Sequence, residues 1–249
     1  MESGCANLVI ADPPYNIGVK NEAWDQIDDY LQFTKRWLHE AIRILRPDGT
    51  LLLWGSPNKN YIFRISQIVT ETFGLKFLQS LSWVYTSGGD GRLSNMRLYA
   101  TRHELLMWFS PSFTYTFNPE QVCDKYTEDE KKIALAKGAG RLKTESLEKG
   151  RPPRSWFLEH RENSRSVERR HGNHPSMKPL SVCHRLVKAH SNKDDMVVIP
   201  FMGSGSEVIS SATHERRCIG FESNANYMEI IEKRLKHHNI EFTRDGRAR

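Results

Sequence analysis

The run Leu8-Val9-Ile10-Ala11-Asp12-Pro13-Pro14-Tyr15 decides how this chain is read. Leu8 to Ala11 form a short apolar stretch, the pattern of a buried strand. Pro13 and Pro14 lack backbone N–H groups, so the strand cannot run through them and the chain turns. The turn leaves a carboxylate, proline carbonyls and an aromatic ring at a strand's carboxyl end, where open α/β sheets place ligands. These groups suit a flat ring bearing an exocyclic amine. Tyr15 offers a stacking face, while Asp12 and a proline carbonyl offer hydrogen-bond acceptors.

A second constellation lies near the other end of the chain. Met196-Val197-Val198-Ile199 reads as a buried strand, and Pro200-Phe201-Met202-Gly203-Ser204-Gly205-Ser206 follows it. Glu207 to Ala212 then reads as a helix. Strand, glycine turn and helix form a nucleotide-type cradle, because glycines without Cβ atoms let the backbone approach a ligand. The next strand, Cys218-Ile219-Gly220-Phe221, ends in Glu222. An acidic residue about twenty positions beyond the glycines, at the next strand end, is placed for ribose hydroxyls. The pair of features points to a nucleoside-containing cofactor.

Between these ends, helix and strand signals alternate. Asp28 or Asp29 can cap a helix carrying Leu31, Leu38, Ala41, Ile42 and Leu45, and Pro47-Asp48-Gly49 is expected to end it. Thr50 to Trp54 reads as a strand, and Tyr61 to Phe73 as a second amphipathic helix. Leu75 to Tyr85 and His103 to Phe109 are strand-like, separated by the loop Ser87-Gly88-Gly89-Asp90-Gly91. Pro179 can start a helix bearing Val182, Cys183, Leu186 and Val187, and Asn224 can cap the last one. The alternation predicts an α/β fold with a doubly wound, mostly parallel sheet.

On these motifs the chain resembles the β group of S-adenosylmethionine-dependent DNA amino-methyltransferases of bacteria and phages. In that group Asp-Pro-Pro-Tyr comes first, a target-recognition region follows, and the cofactor motif comes last. His174-Pro175-Ser176-Met177-Lys178-Pro179, Leu45-Arg46-Pro47-Asp48-Gly49-Thr50, Ser82-Trp83-Val84-Tyr85 and His103-Glu104-Leu105-Leu106 match further blocks in the same order. The resemblance implies a seven-stranded-type sheet in one methyltransferase domain: a catalytic half over 1–109, an insertion over about 110–173 and a cofactor-binding half over 174–249. It implies S-adenosyl-L-methionine as cofactor, held by Pro200, Phe201, Gly203, Ser204, Gly205, Ser206 and Glu222, with Ser176 and Lys178 meeting its methionine carboxylate. Asp12, Pro13, Pro14 and Tyr15 are the implied catalytic group. Two departures stand out. Ile199 occupies the position where the family usually has an Asp that helps hold the cofactor. The lead before Leu8 is also short, where family members commonly carry a longer one that contributes to the adenine pocket.

The middle region is rich in Lys, Arg, Glu and Gly and has little apolar periodicity. Trp156 and Phe157 interrupt its charge. A basic insertion with aromatics is what a DNA-reading module needs, with Arg141, Lys143, Arg151, Arg154, Arg165, Arg169 and Arg170 as candidate contacts. The formal net charge of +6 over 249 residues agrees with an anionic partner. No stretch approaches the roughly twenty apolar residues of a membrane span. Four cysteines are too scattered for a disulfide framework or a zinc site, so a reducing cytoplasm and no metal are expected.

The expected reaction follows from the substrate. An adenine N6 lone pair is delocalised into the ring. Hydrogen bonds from the amine to the Asp12 carboxylate and the Pro13 carbonyl favour a pyramidal nitrogen, whose lone pair can meet the sulfonium methyl in line. The target must leave the helical stack, and Tyr15 offers a face to receive it. Cytosine C5 methylation needs a thiolate, normally presented beside proline, and no cysteine here follows a proline. The alternatives are N4-cytosine methylation, a single-stranded DNA or RNA substrate, and a degenerate methyltransferase fold that only binds DNA. DNA is the expected partner, with a homodimer and a companion restriction endonuclease as further expectations and no membrane.

Overall fold

A computed structural model describes residues 1–18, 22–86, 97–137, 144–162, 166–172 and 174–245, without the side chains of 144–146. In chain order the elements are β1 (Ala6–Ala11), α1 (Tyr30–Ile44), β2 (Leu45–Gly55), α2 (Tyr61–Glu71), β3 (Lys76–Val84) and β4 (His103–Ser110). There follow α3 (Glu128–Lys137), α4 (Thr144–Lys149), β5 (Trp156–Leu158), α5 (Leu180–His190), β6 (Met196–Ile199), α6 (Ser206–Thr213), β7 (Arg217–Gly220) and α7 (Ala225–His237). The strands form a seven-stranded sheet in the order β5-β3-β4-β2-β1-β6-β7. Every neighbouring pair is parallel except the two that β4 makes, with β2 and β3. The predicted mostly parallel, doubly wound α/β sheet is the observed one.

Side-chain alternation explains why the strands read as continuous apolar runs. Leu8 and Ile10 of β1, Leu52 and Trp54 of β2, and Val197 and Ile199 of β6 face one core with Val182 and Leu186 of α5, Ile209 of α6 and Ile231 and Leu235 of α7. Val9, Leu51, Leu53 and Val198 face the opposite core with Leu38 and Ala41 of α1 and Ile62 and Ile65 of α2. Helices therefore cover both faces of the central strands β1 and β6. Asp29 caps α1 by accepting from the Gln32 amide at 3.2 Å. Asn224 caps α7 through the Asn226 amide at 2.9 Å.

One local reading needs correction. The first helix ends at Ile44, and Pro47-Asp48-Gly49 lies inside β2. Pro47 cannot continue a helix and biases the residue before it toward extended backbone. Leu45 leaves the helix with φ −71° and ψ 135°, pairs with Ala6 and buries its side chain. The register then shifts before Leu8 pairs with Thr50. The basic region also joins the sheet. Its β5 pairs parallel with β3, Phe157 is buried, and the Trp83 indole donates to the Glu159 carbonyl at 2.9 Å. Three residues are too few for a periodicity argument to find. The loop expected at Ser87 to Gly91 lies outside the described residues.

Neighbouring β1 and β6 place the site. β1 pairs with β2 on one side and with β6 on the other, Leu8 opposite Val197 and Val9 opposite Val198. The strand order reverses there, and the turns after Ala11 and Ile199 leave the same edge of the sheet. That is the crevice at the topological switch point.

Gly55 closes β2 where α2 crosses it. A Cβ there would lie 2.8 Å from Ile62 Cβ and 2.5 Å from its Cδ1. Gly55→Ala is expected to push α2 outward and lower unfolding stability by about 1–3 kcal/mol, the usual cost of overpacking. Urea denaturation checks this, and an unchanged midpoint would contradict the close approach.

Candidate active site

The turn after β1 is fixed by its own polar groups. The Tyr30 hydroxyl of α1 donates to the Pro14 carbonyl. Buried Asp25 accepts from the Asn16 amide at 2.6 Å and the Ile17 amide at 3.0 Å, so the chain beyond Tyr15 folds back over the site. Pro13 is buried, while Asp12 and Tyr15 are partly exposed.

Asp12 and Tyr15 belong to a charged network. The Lys178 ammonium, with only 3% of the side chain exposed, lies 2.6 Å from Asp12 Oδ2 and 3.2 Å from Glu104 Oε2. The Tyr15 hydroxyl lies 2.7 Å from Asp12 Oδ1 and 2.9 Å from Glu104 Oε2, and it accepts from Lys178 at 3.2 Å. Arg161 extends the network, donating to the Tyr85 hydroxyl at 2.6 Å and to Glu104 Oε1 at 3.3 Å. Burial alone would lower the Lys178 pKa, but Asp12 and Glu104 outweigh it and hold the ammonium charged. Burial raises the Asp12 carboxyl above the usual carboxylate range; Lys178 opposes this and Glu104 adds to it. The Tyr15 phenol is pushed well up by burial and by the two carboxylates, so it stays protonated and donates.

Lys178 was expected to meet a ligand carboxylate; its ammonium faces Asp12 and Glu104 of the chain itself, and the residue lines the cavity described below. Ser176, its companion in that expectation, lines the cavity described below, and its amide donates to His174 Nδ1 at 3.2 Å.

The glycine turn is equally over-determined. Glu222 accepts from the Gly203 amide at 2.8 Å through one oxygen and from the Asn224 amide at 2.8 Å through the other. Each oxygen keeps a second acceptor direction. Gly203 and Gly205 have φ of 53° and 80°, conformations that favour glycine. Fully buried Arg234 of α7 donates to the Ser204 carbonyl and to the Ser206 hydroxyl, the latter at 3.1 Å, and pairs with Glu168 at 2.6 Å. Burial would raise Glu168, but Arg234 and His238 outweigh it and hold the carboxyl low. Ser206 in turn donates to the Lys178 carbonyl at 2.8 Å.

The two turns share one cavity of about 290 Å³. Asp12, Pro13, Pro14, Tyr15, Ser176 and Lys178 line it with Phe201, Gly203, Ser204 and Glu222. Pro200, Gly205 and Ser206, also expected to bind the cofactor, are not in the lining; Gly205 and Ser206 shape the turn from behind. Residues not anticipated as site groups complete the wall: Trp24, Asp25, Phe33, Glu207 and Tyr227. The Trp24 indole donates to the Tyr227 hydroxyl at 3.2 Å, and the His174 ring packs against both residues. Burial, then Lys178, push His174 down to about 3, so its ring is neutral. Trp24, Asp25 and Phe33 come from the segment after the Pro-Pro turn. The one sequence signal for Glu104 was a charge inside an otherwise apolar strand. Glu207 had none, since a Glu in a first helical turn is ordinary.

Comparison with known proteins bears on this geometry. The N6_N4_Mtase family model, described as DNA methylase, matches residues 6–233. The chain belongs to this DNA methylase family. The type II methyltransferase M1.MboII of Moraxella bovis is 31% identical over 246 residues, covering 92% of this chain and 88% of that protein. The type II methyltransferase M.HpaI of Haemophilus parainfluenzae is 29% identical over 241 residues, with 94% and 69% covered. In fold the chain resembles the M1.HpyAVI–SAM complex, with a TM-score of 0.63 at 22% identity over 92% of this chain and 88% of that one. It also resembles the PvuII DNA methyltransferase (cytosine-N4-specific), with a TM-score of 0.69 at 15% identity over 94% and 81%.

As a DNA methylase the chain must also hold DNA, and its basic candidates divide. Arg141, Lys143 and Arg165 lie outside the described residues. Arg151 pairs with Glu130 at 2.8 Å and lies over the Tyr126 ring, while Arg154 is 3.4 Å from Asp124 and lies over the Trp156 ring. These two consolidate the inserted region. Arg169 donates to the Glu162 carbonyl at 3.0 Å, and Arg170 is exposed. Among the described residues no helix is long and apolar enough to cross a membrane, and no His, Cys, Asp and Glu cluster could hold a metal.

Arg234→Met is expected to destabilise the protein by about 3–5 kcal/mol, because Glu168 loses its buried arginine partner and keeps only His238. Adding Glu168→Gln to that variant should recover part of the loss. Denaturant midpoints for Arg234→Met, Glu168→Gln and the double variant test the coupling, and strict additivity would refute it.

Proposed function

We propose that the chain methylates the N6 amine of adenine in duplex DNA, with S-adenosyl-L-methionine as the methyl donor. The observation that carries this reading is the shared cavity: the Asp-Pro-Pro-Tyr turn and the Gly-Ser-Gly turn face each other across it. The residues fit such a cofactor. Glu222 has free acceptor directions for ribose hydroxyls, the Gly203 turn lets the backbone approach closely, and Phe33 and Phe201 offer apolar walls. Ser176 lines the cavity and is the proposed contact of the methionine carboxylate. When bound, the cofactor supplies an electrophilic methyl group.

The chain's own residues do the rest. Asp12 and the Pro13 carbonyl are the proposed acceptors for the target amine, and the Tyr30 hydroxyl holds the turn by donating to the Pro14 carbonyl. Asp12 already takes Lys178 and Tyr15, but each carboxylate oxygen can accept once more. Lys178 and Tyr15 hold that carboxylate in a single orientation, as preorganised electrostatics require. Burial and Glu104 make Asp12 a better proton acceptor than a free carboxylate, so it can take the proton that the amine loses. An adenine target is favoured over cytosine by the Asp at the head of Asp-Pro-Pro-Tyr. The type II relatives further suggest a companion endonuclease reading the same site. A homodimer is part of the same proposal.

Asp12→Ala should abolish methyl transfer while the variant still unfolds cooperatively. The assay uses methyl-labelled S-adenosylmethionine, mixed-sequence duplex DNA, digestion and nucleoside chromatography. Label in N6-methyladenosine supports the proposal. Label in N4-methylcytosine replaces the base, and turnover by Asp12→Ala overturns the role of the carboxylate.

Exposed Arg170 is proposed as a phosphate contact. Arg170→Ala should weaken binding to all duplexes alike and flatten the dependence of log K on log salt by about 0.9, one released counterion. Arg151→Ala should instead lower the unfolding midpoint. Fluorescence anisotropy over a salt series separates the two, and an unchanged slope for Arg170→Ala removes it from the interface.

A further inference from the structure

Glu207 is the one buried acid in the cavity whose role the chain itself does not explain. It is the second residue of α6, just past the glycine turn; it is 3% exposed and lines the cavity. Its Oε1 has no hydrogen-bond partner among the described residues. Leaving a buried acceptor unsatisfied is costly. The cations that face it are committed elsewhere: Lys178 to Asp12 and Glu104, and Arg234 to Glu168 and the glycine turn. Asp12 faces it as a like charge. The thiols of Cys183 and Cys218, on α5 and β7, are pushed up by burial and carry no charge. The strand leading into the turn offers no carboxylate of its own, because Ile199 is an apolar core residue with 1% exposure.

An orphaned acceptor calls for an N–H or O–H donor, and a buried carboxyl calls for a cation. An ammonium is both, whereas a sulfonium is a cation without an N–H. We infer that Glu207 receives the α-ammonium of the cofactor's methionine end, so that α6 supplies the carboxylate that the end of β6 lacks. The inference rests on the S-adenosylmethionine reading above. Burial and Asp12 raise Glu207 to about 7 and Lys178 opposes them, so an arriving ammonium meets an acid ready to ionise.

Calorimetry with S-adenosylhomocysteine and its deamino analogue tests this on the intact chain. The wild type should bind S-adenosylhomocysteine about ten- to a hundredfold more tightly than the deamino analogue, the range for a hydrogen bond to a charged group. Glu207→Gln should lose that preference by weakening S-adenosylhomocysteine alone. The unliganded Glu207→Gln protein should unfold at the same or a higher denaturant midpoint, because a carboxyl kept for a ligand does not serve the fold. A lowered midpoint, failure to fold, or equal weakening of both ligands assigns Glu207 a structural role and overturns the inference. Equal binding of the two ligands by the wild type overturns it without any variant. If the wild type binds neither, the cofactor reading falls and this inference falls with it.

Discussion

The buried contact between Lys178 and Asp12 joins the two ends of the chain into one site. The residues are 166 positions apart, and their charged atoms are 2.6 Å apart. They meet because β1 and β6 are parallel neighbours, so the segment before α5 can cross the turn that follows β1. An ammonium as buried as Lys178 would be too costly with one imperfect partner. It has two carboxylates, from the turn after β1 and from the first residues of β4, and it lies over the Trp54 ring at 5.0 Å. Three strands therefore converge on one charge, and any change in strand order would separate them.

The same lysine links that network to the glycine turn. Its backbone carbonyl accepts from Ser206, Ser206 accepts from Arg234, and Arg234 pairs with Glu168. Glu168 belongs to the basic inserted region, and it also faces His238 at the end of α7. A continuous polar path thus runs from the inserted region through α7 to the glycine turn and on to Asp12. The region read as a DNA-recognition module is mechanically part of the wall behind the glycine turn.

Much of this was legible from the sequence, for reasons that are local. Apolar runs ending in Pro-Pro or Gly-Ser-Gly mark strand ends, and the sheet's period makes such runs continuous when both faces are covered. Asn224 could be placed as a cap from one residue. What was not legible depends on partners far along the chain. Lys178 was read as a ligand's counter-ion because its neighbours in sequence say nothing about Asp12 or Glu104. Gly205 and Ser206 were read as cofactor contacts, yet they face α7, where Ile231 and Arg234 meet them. Leu45 was read as the last residue of a helix face, and a strand pairing with Ala6 claimed it instead. Trp24 and Tyr227, 203 positions apart, became one wall only through the fold.

Charge is sorted between the inside and the outside of this molecule. Asp12, Asp25, Glu207 and Glu222 line the cavity with one ammonium, Lys178, and His174 there is neutral. Yet the chain as a whole is +6, so its excess positive charge lies elsewhere, with Arg170 on the exposed surface. A polyanion is drawn to such an exterior and repelled by such an interior. Backbone amides at Asn16, Ile17, Gly203 and Asn224 donate to two of the four acids, Asp25 and Glu222. In the proposed reaction such a cavity sorts by charge before any base edge is read: it favours an uncharged base carrying an amine and a cationic cofactor, and it keeps the phosphate backbone at the rim.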